Sequence, residues 1–467
     1  MLFTAPEFVF LFLPLSVLLY AVCGKGRRRI GLFAVSVFYH LLMNLFHPQN
    51  LLFIPVLALY CWGCGRLLAR FRQRWLALLL GALPFGGLLL MRHLAYVGVE
   101  NFTYPVGLTV MTLGALSYLV ESVRGNVPKR MARPLDLILY LSFFPVLIVG
   151  PFIKYTDFLR LTSEEEIEFS TARMAEGAKL FAVGFIKRVA IGMVLMDTFE
   201  RFSAIAAGNS EFLIGAFLLI LIYFGVFFTV SGYLDMGCGI ALMYGVRLPY
   251  TSANPFRAAT PAAYGRTLFG SYVAWLEDYV VGPMERMTGG RGIHWIRAAV
   301  VGCGMLLVVR SSPYVLLLAL PFVLIGYFIS RYELQKQLAT RHGLRVLATL
   351  ATIAAVSVCW VILTKGDFWA VAEYISSLSY VNSEYHMDLM LVTFSDRRYL
   401  FVLAVSIFTL LPHLGIGRSV GRSSEGGRLA VEIISTVTVL VLFAFTLLFF
   451  LPGASAYDDL PFRYMFI

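Results

Sequence analysis

The chain has 467 residues, 59% of them hydrophobic and only 14% charged, with a formal net charge of +11. A soluble domain is about 45–50% apolar and about 25% charged, so an ordinary water-soluble globule is excluded. The positive excess calls for no nucleic-acid partner, because basic loops on the cytoplasmic side of a multi-pass membrane protein account for it.

Apolar runs of about the length that crosses a bilayer, 17–25 residues, recur along the chain. They include 8–23, 31–46, 212–230, 314–330 and 429–451. Windows of this kind predict roughly 10–13 membrane segments. No basic residue precedes the first run, while Lys25, Arg27, Arg28 and Arg29 follow it. That order suits an uncleaved span that starts outside and ends in the cytoplasm. The next loops alternate. Segment 47–50 carries no Lys or Arg, and Arg66, Arg70, Arg72 and Arg74 form a basic turn. Segment 92–104 has one Arg, and 124–133 has four basic residues. The six cysteines lie in or beside apolar stretches. Cys61 and Cys64 have the spacing of a redox pair, but they sit in a predicted span and read as small core residues.

Three segments interrupt this pattern. Segment 135–153 holds Pro145, Gly150 and Pro151 between basic flanks. Proline disrupts a helix interior, and a re-entrant hairpin keeps both flanks on one side. Segment 154–179 is polar and contains Ser163-Glu164-Glu165-Glu166, the pattern of a capping box with Ser163 as N-cap and Glu166 at N3. It predicts a cytoplasmic surface helix with a solvated acidic face. Segment 246–292 has Pro249, Pro255, Pro261 and Pro283 together with Trp275. It reads as short helices and loops packed into the membrane body, where irregular backbone marks a pathway or site.

Several blocks resemble the membrane-bound O-acyltransferase family, in its bacterial alginate O-acetylation branch. They are Met1–Phe8 with Phe12-Leu13-Pro14, Tyr104–Leu108, Leu116–Leu119 with Arg124-Gly125, and Phe143–Pro145 with Gly150-Pro151. Further along come Gly184–Arg188, Ser231–Met236 and the closing Leu460–Phe466. The resemblance implies one all-α polytopic domain over 1–467, a helical bundle with a central tunnel. It implies an acyl donor such as acetyl-CoA or a carrier-protein thioester on the cytoplasmic face of the bacterial inner membrane. It also implies an acceptor outside, served by an extracytoplasmic acetyltransferase or polysaccharide-assembly proteins. No bound cofactor or metal is expected; membrane lipid is the surrounding partner.

The resemblance also implies two histidines, one of them the general base, a task imidazole suits because its pKa lies near working pH. Alignment puts Phe269 and Val309 at those positions, and no histidine occurs between Trp295 and Arg341. Of the seven histidines, His294 is nearest in sequence and reads as interfacial, and His386 reads as solvated. Asp235, beside Tyr233 in an apolar block, has two readings: a carboxylate satisfied by backbone or hydroxyl donors, or a residue lining the tunnel. Asn254, Arg266, Trp275 and Asp278 share the irregular region and are further candidates for contact with substrate. Three functions follow: an acyltransferase working with another base or by positioning, an inactive scaffold or conduit docking envelope-assembly proteins, and a transporter. Nothing in the charge or repeat pattern favours the third.

Overall fold

A computed structural model describes residues 2–71, 73–97, 105–128, 133–206, 212–249, 258–289, 300, 342–365, 399, 401–407 and 425–450. The described residues are helical, without strands, and the chain is an all-α polytopic membrane protein. Four described helical stretches are long and apolar enough to cross a membrane: Pro48–Phe71, Ile214–Met243, Gly343–Val361 and Glu432–Phe449. Shorter apolar helices cover Phe8–Ala21 and Leu79–Leu94. The predicted span at 314–330 lies outside the described residues.

The elements used below are α1 (Leu13–Ala21), α2 (Arg28–Met43), α3 (Phe53–Phe71), α4 (Arg74–Val97), α5 (Leu108–Arg124), α6 (Pro134–Ser142), α7 (Phe144–Leu147) and α8 (Tyr155–Leu161). They continue with α9 (Thr171–Ile186), α10 (Met193–Ala206), α11 (Phe212–Met243), α12 (Pro261–Leu268), α13 (Gly270–Leu276), α14 (Gly282–Thr288), α15 (His342–Lys365) and α16 (Glu425–Phe449). A π-helical turn, Lys187–Gly192, joins α9 to α10 without a break.

Helix α11 is the axis of the bundle. Its apolar window is 72% buried, against 11% for α16, which therefore lies at the periphery. Lys179 on α9 donates to Ser435 and Thr436 of α16 at 2.6 and 2.9 Å. Leu11, Leu15, Leu18 and Leu19 stay exposed, as expected of surface turned toward lipid rather than water.

Helices α9 and α11 meet through glycine. A Cβ built on Gly184 lies 2.6 Å from the Gly232 carbonyl oxygen, and one on Gly177 lies 2.6 Å from that of Gly239. The reciprocal contacts from Gly232 to Gly184 and from Gly239 to Gly177 are equally close. Small residues let membrane helices approach backbone to backbone, and this pair uses two on each helix, seven residues apart.

The proline-broken segment 135–153 folds as α6 and α7, of nine and four residues. At about 1.5 Å per residue neither reaches across a hydrocarbon core of about 30 Å. Residues 139–151 are buried throughout, so protein encloses this irregular backbone as its polar groups require. The Pro145 carbonyl abuts Gly237 of α11, where a Cβ would come within 2.4 Å. Gly107, with φ of 79°, turns the chain against Leu147.

Segment 154–179 departs from expectation. It is not one surface helix but α8, a turn, and the start of α9, whose later residues are buried in the bundle. The Ser163 capping box does not form. Ser170 is the N-cap instead, its Oγ accepting from the Arg173 N–H at 3.2 Å. The amide that the box would give to the Ser163 side chain, the Glu166 N–H, donates instead to the Ser163 carbonyl at 3.2 Å, while the Glu164 carboxylate accepts the N–H groups of Arg28 and Arg29, at 3.2 and 2.8 Å. It thus caps α2 rather than its own segment.

Candidate functional site

The structure gathers polar side chains into two nests inside the apolar bundle. The first lies where α9, the π-helical turn and α11 touch. The glycine contacts bring Asp235 of α11 so near α9 that a Cβ on Gly184 would fall 2.8 Å from the Asp235 Cβ. Lys187, one turn-residue beyond α9, places its Nζ 2.7 Å from Asp235 Oδ2, with both side chains at most 4% exposed. Asp235 is therefore paired with an ammonium. Two ions removed from water cost several kcal/mol each, and close pairing recovers that cost only in part. Tyr233, the neighbouring candidate, is buried with its ring under the Arg188 guanidinium, 5.3 Å from centroid to Cζ.

The second nest joins α5 to the segment after α13. Ser117 Oγ lies 2.9 Å from the Tyr279 hydroxyl, which donates to Glu121 Oε1 at 2.9 Å. Asn126 donates to the other Glu121 oxygen at 2.6 Å, and the Tyr155 N–H donates to Ser117 at 3.1 Å. At the outer edge Asp278 accepts from Lys154 at 2.6 Å and from Arg124 at 3.0 Å. Arg124 also covers the Tyr279 ring at 4.9 Å. Trp275, Tyr272 and Leu276 pack with Tyr279 as a small apolar cluster of their own. Trp275 also lines a small cleft with Met111, Tyr140, Val146, Pro151 and Phe158. Its indole N–H is buried without an acceptor.

The sequence candidates thus separate. Tyr233 and Asp235 belong to the first nest, Trp275 and Asp278 to the second. Arg266 is on the surface, 3.7 Å from Glu277, where an ion pair contributes little. Phe269 stands between α12 and α13, its ring 6.4 Å from that of Trp360, and it packs as hydrocarbon. Asn254 and Val309 lie outside the described residues, as do His294, His386 and His413. His40 is the buried imidazole among those described, with Nδ1 3.3 Å from Asn44 Nδ2. No group of three or more His, Cys, Asp or Glu able to hold a metal occurs among the described residues.

Sequence reasoning did not single out Lys187, Arg188, Ser117, Glu121 or Lys154 as site residues. Lys187, Arg188 and Ser117 stand inside blocks that carry the family resemblance, and for the charged ones an ionisable residue in an apolar stretch was the available signal.

Burial works to raise the Asp278 carboxyl, but hydrogen bonds from Lys154 and Arg124 and their charges outweigh it and hold it below its ordinary value. A lowered folded value stabilises the docked segment above the unfolded carboxyl's pKa, about 3.9. That stabilisation is lost as pH falls through the folded value. Amide protection across 270–288, measured relative to the base-catalysed intrinsic exchange rate, is expected to be unchanged from pH 8 to 5 and to fall below about pH 4. Asp278→Asn is expected to abolish that acid limb, and an unaltered limb in the variant contradicts the assignment. Because Asp278 is 35% exposed, the effect is confined to local docking.

No family model matches the chain. It is similar to a probable alginate O-acetylase AlgI of Pseudomonas aeruginosa, 27% identical over 301 residues, covering 60% of this chain and 56% of that protein. A peptidoglycan O-acetyltransferase of Helicobacter pylori is 24% identical over 331 residues, 61% of this chain and 62% of its own length. A teichoic acid D-alanyltransferase of Bacillus subtilis is 23% identical over 186 residues, 39% of this chain and 46% of that protein. The chain spans less than two thirds of the length of each of these relatives.

Proposed function

We propose that this chain, which belongs to the membrane-bound O-acyltransferase family, takes part in O-acetylation of an exopolysaccharide or another cell-envelope polymer. The observation that carries the reading is the set of relatives. Their names give three different polymers, all receiving an acyl group. In this reading the donor is acetyl-CoA or a carrier-protein thioester at the cytoplasmic face of a bacterial inner membrane. The acyl group crosses to an acceptor outside, handled by an extracytoplasmic acetyltransferase or polysaccharide-assembly proteins. Tyr233, Asp235, Asn254, Trp275 and Asp278 remain candidates for its path, while Arg266 is tied to Glu277 at the surface.

The reaction runs without the family's imidazole, since phenylalanine and valine accept no proton. Losing a general base costs about 10²–10⁴ in rate, which positioning of donor and acceptor offsets in part. Deleting the gene is expected to remove base-labile ester acetate from the envelope polysaccharide, and supplying the chain to restore it. Replacing each of the seven histidines by alanine, the buried His40 included, is expected to leave restoration intact. Unchanged ester acetate on deletion defeats the reading; loss with a single histidine variant shows that the base has moved.

The side chain at position 269 favours a second reading, a scaffold or conduit that docks the acylating partners. Purified chain with labelled acetyl-CoA separates the two. Turnover supports an enzyme, and no turnover together with ester acetate lost on deletion supports the scaffold.

A further inference from the structure

The other charged residues counted as buried have polar partners. Lys187 and Asp235 hold each other, Glu121 accepts from Tyr279, Asn126 and Arg124, and Arg92 donates to Thr109 at 2.7 Å. Arg188 differs. It is 7% exposed, its Nε is enclosed without an acceptor, and among the described residues it forms no ion pair. What it touches is the Tyr233 ring. A cation–π contact offsets only part of the cost of taking a guanidinium out of water.

Two features beside it point the same way. Arg188 lies in the π-helical turn, an irregularity frequent at functional sites. Thr229, one helical turn before Tyr233 on α11, keeps a buried hydroxyl without a partner. That hydroxyl faces Gly192, where a Cβ would come within 2.7 Å. The local charge does not cancel either, since Asp235 is already held by Lys187.

We propose that Arg188 is an oxyanion-binding residue, holding a phosphate or carboxylate group of a small ligand that enters the bundle beside Tyr233. The guanidinium supplies forked donors that fit such a group, and the ligand supplies the negative charge the fold leaves out. The choice of coenzyme A as one probe rests on the acyl-transfer reading; the site itself does not.

The test uses the full chain in an uncharged detergent, with calorimetric titration of inorganic phosphate, acetate, coenzyme A and pantetheine, which lacks phosphate. Wild type is expected to bind coenzyme A and to bind pantetheine at least tenfold more weakly. Phosphate or acetate binding with coenzyme A excluded places the source in a free anion and leaves the site standing. Arg188→Gln and Arg188→Met are expected to weaken binding of whichever oxyanion binds at least tenfold, Arg188→Lys less. A structural role gives a different sign for the unliganded protein. If Arg188 exists for a ligand, Arg188→Met raises the melting temperature, because hydrocarbon replaces an unpaired buried charge. Wild type that binds none of the probes, pantetheine binding as tightly as coenzyme A, or an Arg188→Met protein that melts lower would each overturn the proposal. Oxyanion binding without acetyl transfer leaves the site in place while the function reading fails.

Discussion

Replacing Asp235 with alanine is expected to cost about 3–5 kcal/mol, the loss typical when one member of a buried ion pair is removed. The reason is what remains. Lys187, 4% exposed, is left among hydrocarbon without the carboxylate 2.7 Å away, and Arg188 follows directly in sequence. Two cations would then share a site that held one carboxylate. Lys187→Met alone is expected to destabilise by a similar amount, because it strands the carboxylate. Lys187→Met with Asp235→Leu is expected to come within about 1 kcal/mol of wild type or above it, since hydrophobic isosteres often replace a buried pair without loss. Denaturant unfolding in detergent of the four proteins forms a double-mutant cycle. Additive losses would show that the two side chains do not depend on each other.

Gly184→Ala is expected to be strongly damaging for a single added methyl. The added carbon falls 2.6 Å from the Gly232 carbonyl oxygen and 2.6 Å from the Met236 amide nitrogen. Neither is a side chain that can swing away. Helices α9 and α11 must separate along their contact, which also lengthens Lys187–Asp235. Overpacking of a tight interior costs about 1–3 kcal/mol, and the disturbed ion pair puts this case at the upper end. The control is Gly63→Ala in α3, where a Cβ meets nothing within 4 Å. Alanine is the better helix former there by about 0.8–1 kcal/mol, so that variant is expected to be neutral or more stable. Similar melting of both variants would mean that close approach of the backbones does not hold α9 to α11.

The all-α membrane character was legible because it depends on composition and run length, which need no knowledge of neighbours. The break at 135–153 was legible for the same reason, since proline acts on its own backbone. Asp235 stood out as a carboxylate in an apolar run, but its partner is 48 residues away and no local pattern links them. The second nest draws on 117–126, 154 and 278–279, so Asp278 was found while Glu121 and Ser117, on a helix that reads as a plain span, were not. Ser163 shows the reverse error. Its capping box is sound as a pattern, but the Glu166 amide it needs bonds the Ser163 carbonyl instead, and the helix begins seven residues later.

The bond from Glu164 to the start of α2 also bears on how the protein is made. Its acceptor lies 136 residues downstream of the Arg28 amide it satisfies. At about 5–20 residues per second, the first turn of α2 waits roughly 7–27 s for it. During that interval Asp136, 107 residues after Arg29, is the earlier anchor to leave the ribosome. The amides that open α2 are therefore synthesised well before the carboxylate that satisfies them in the folded protein.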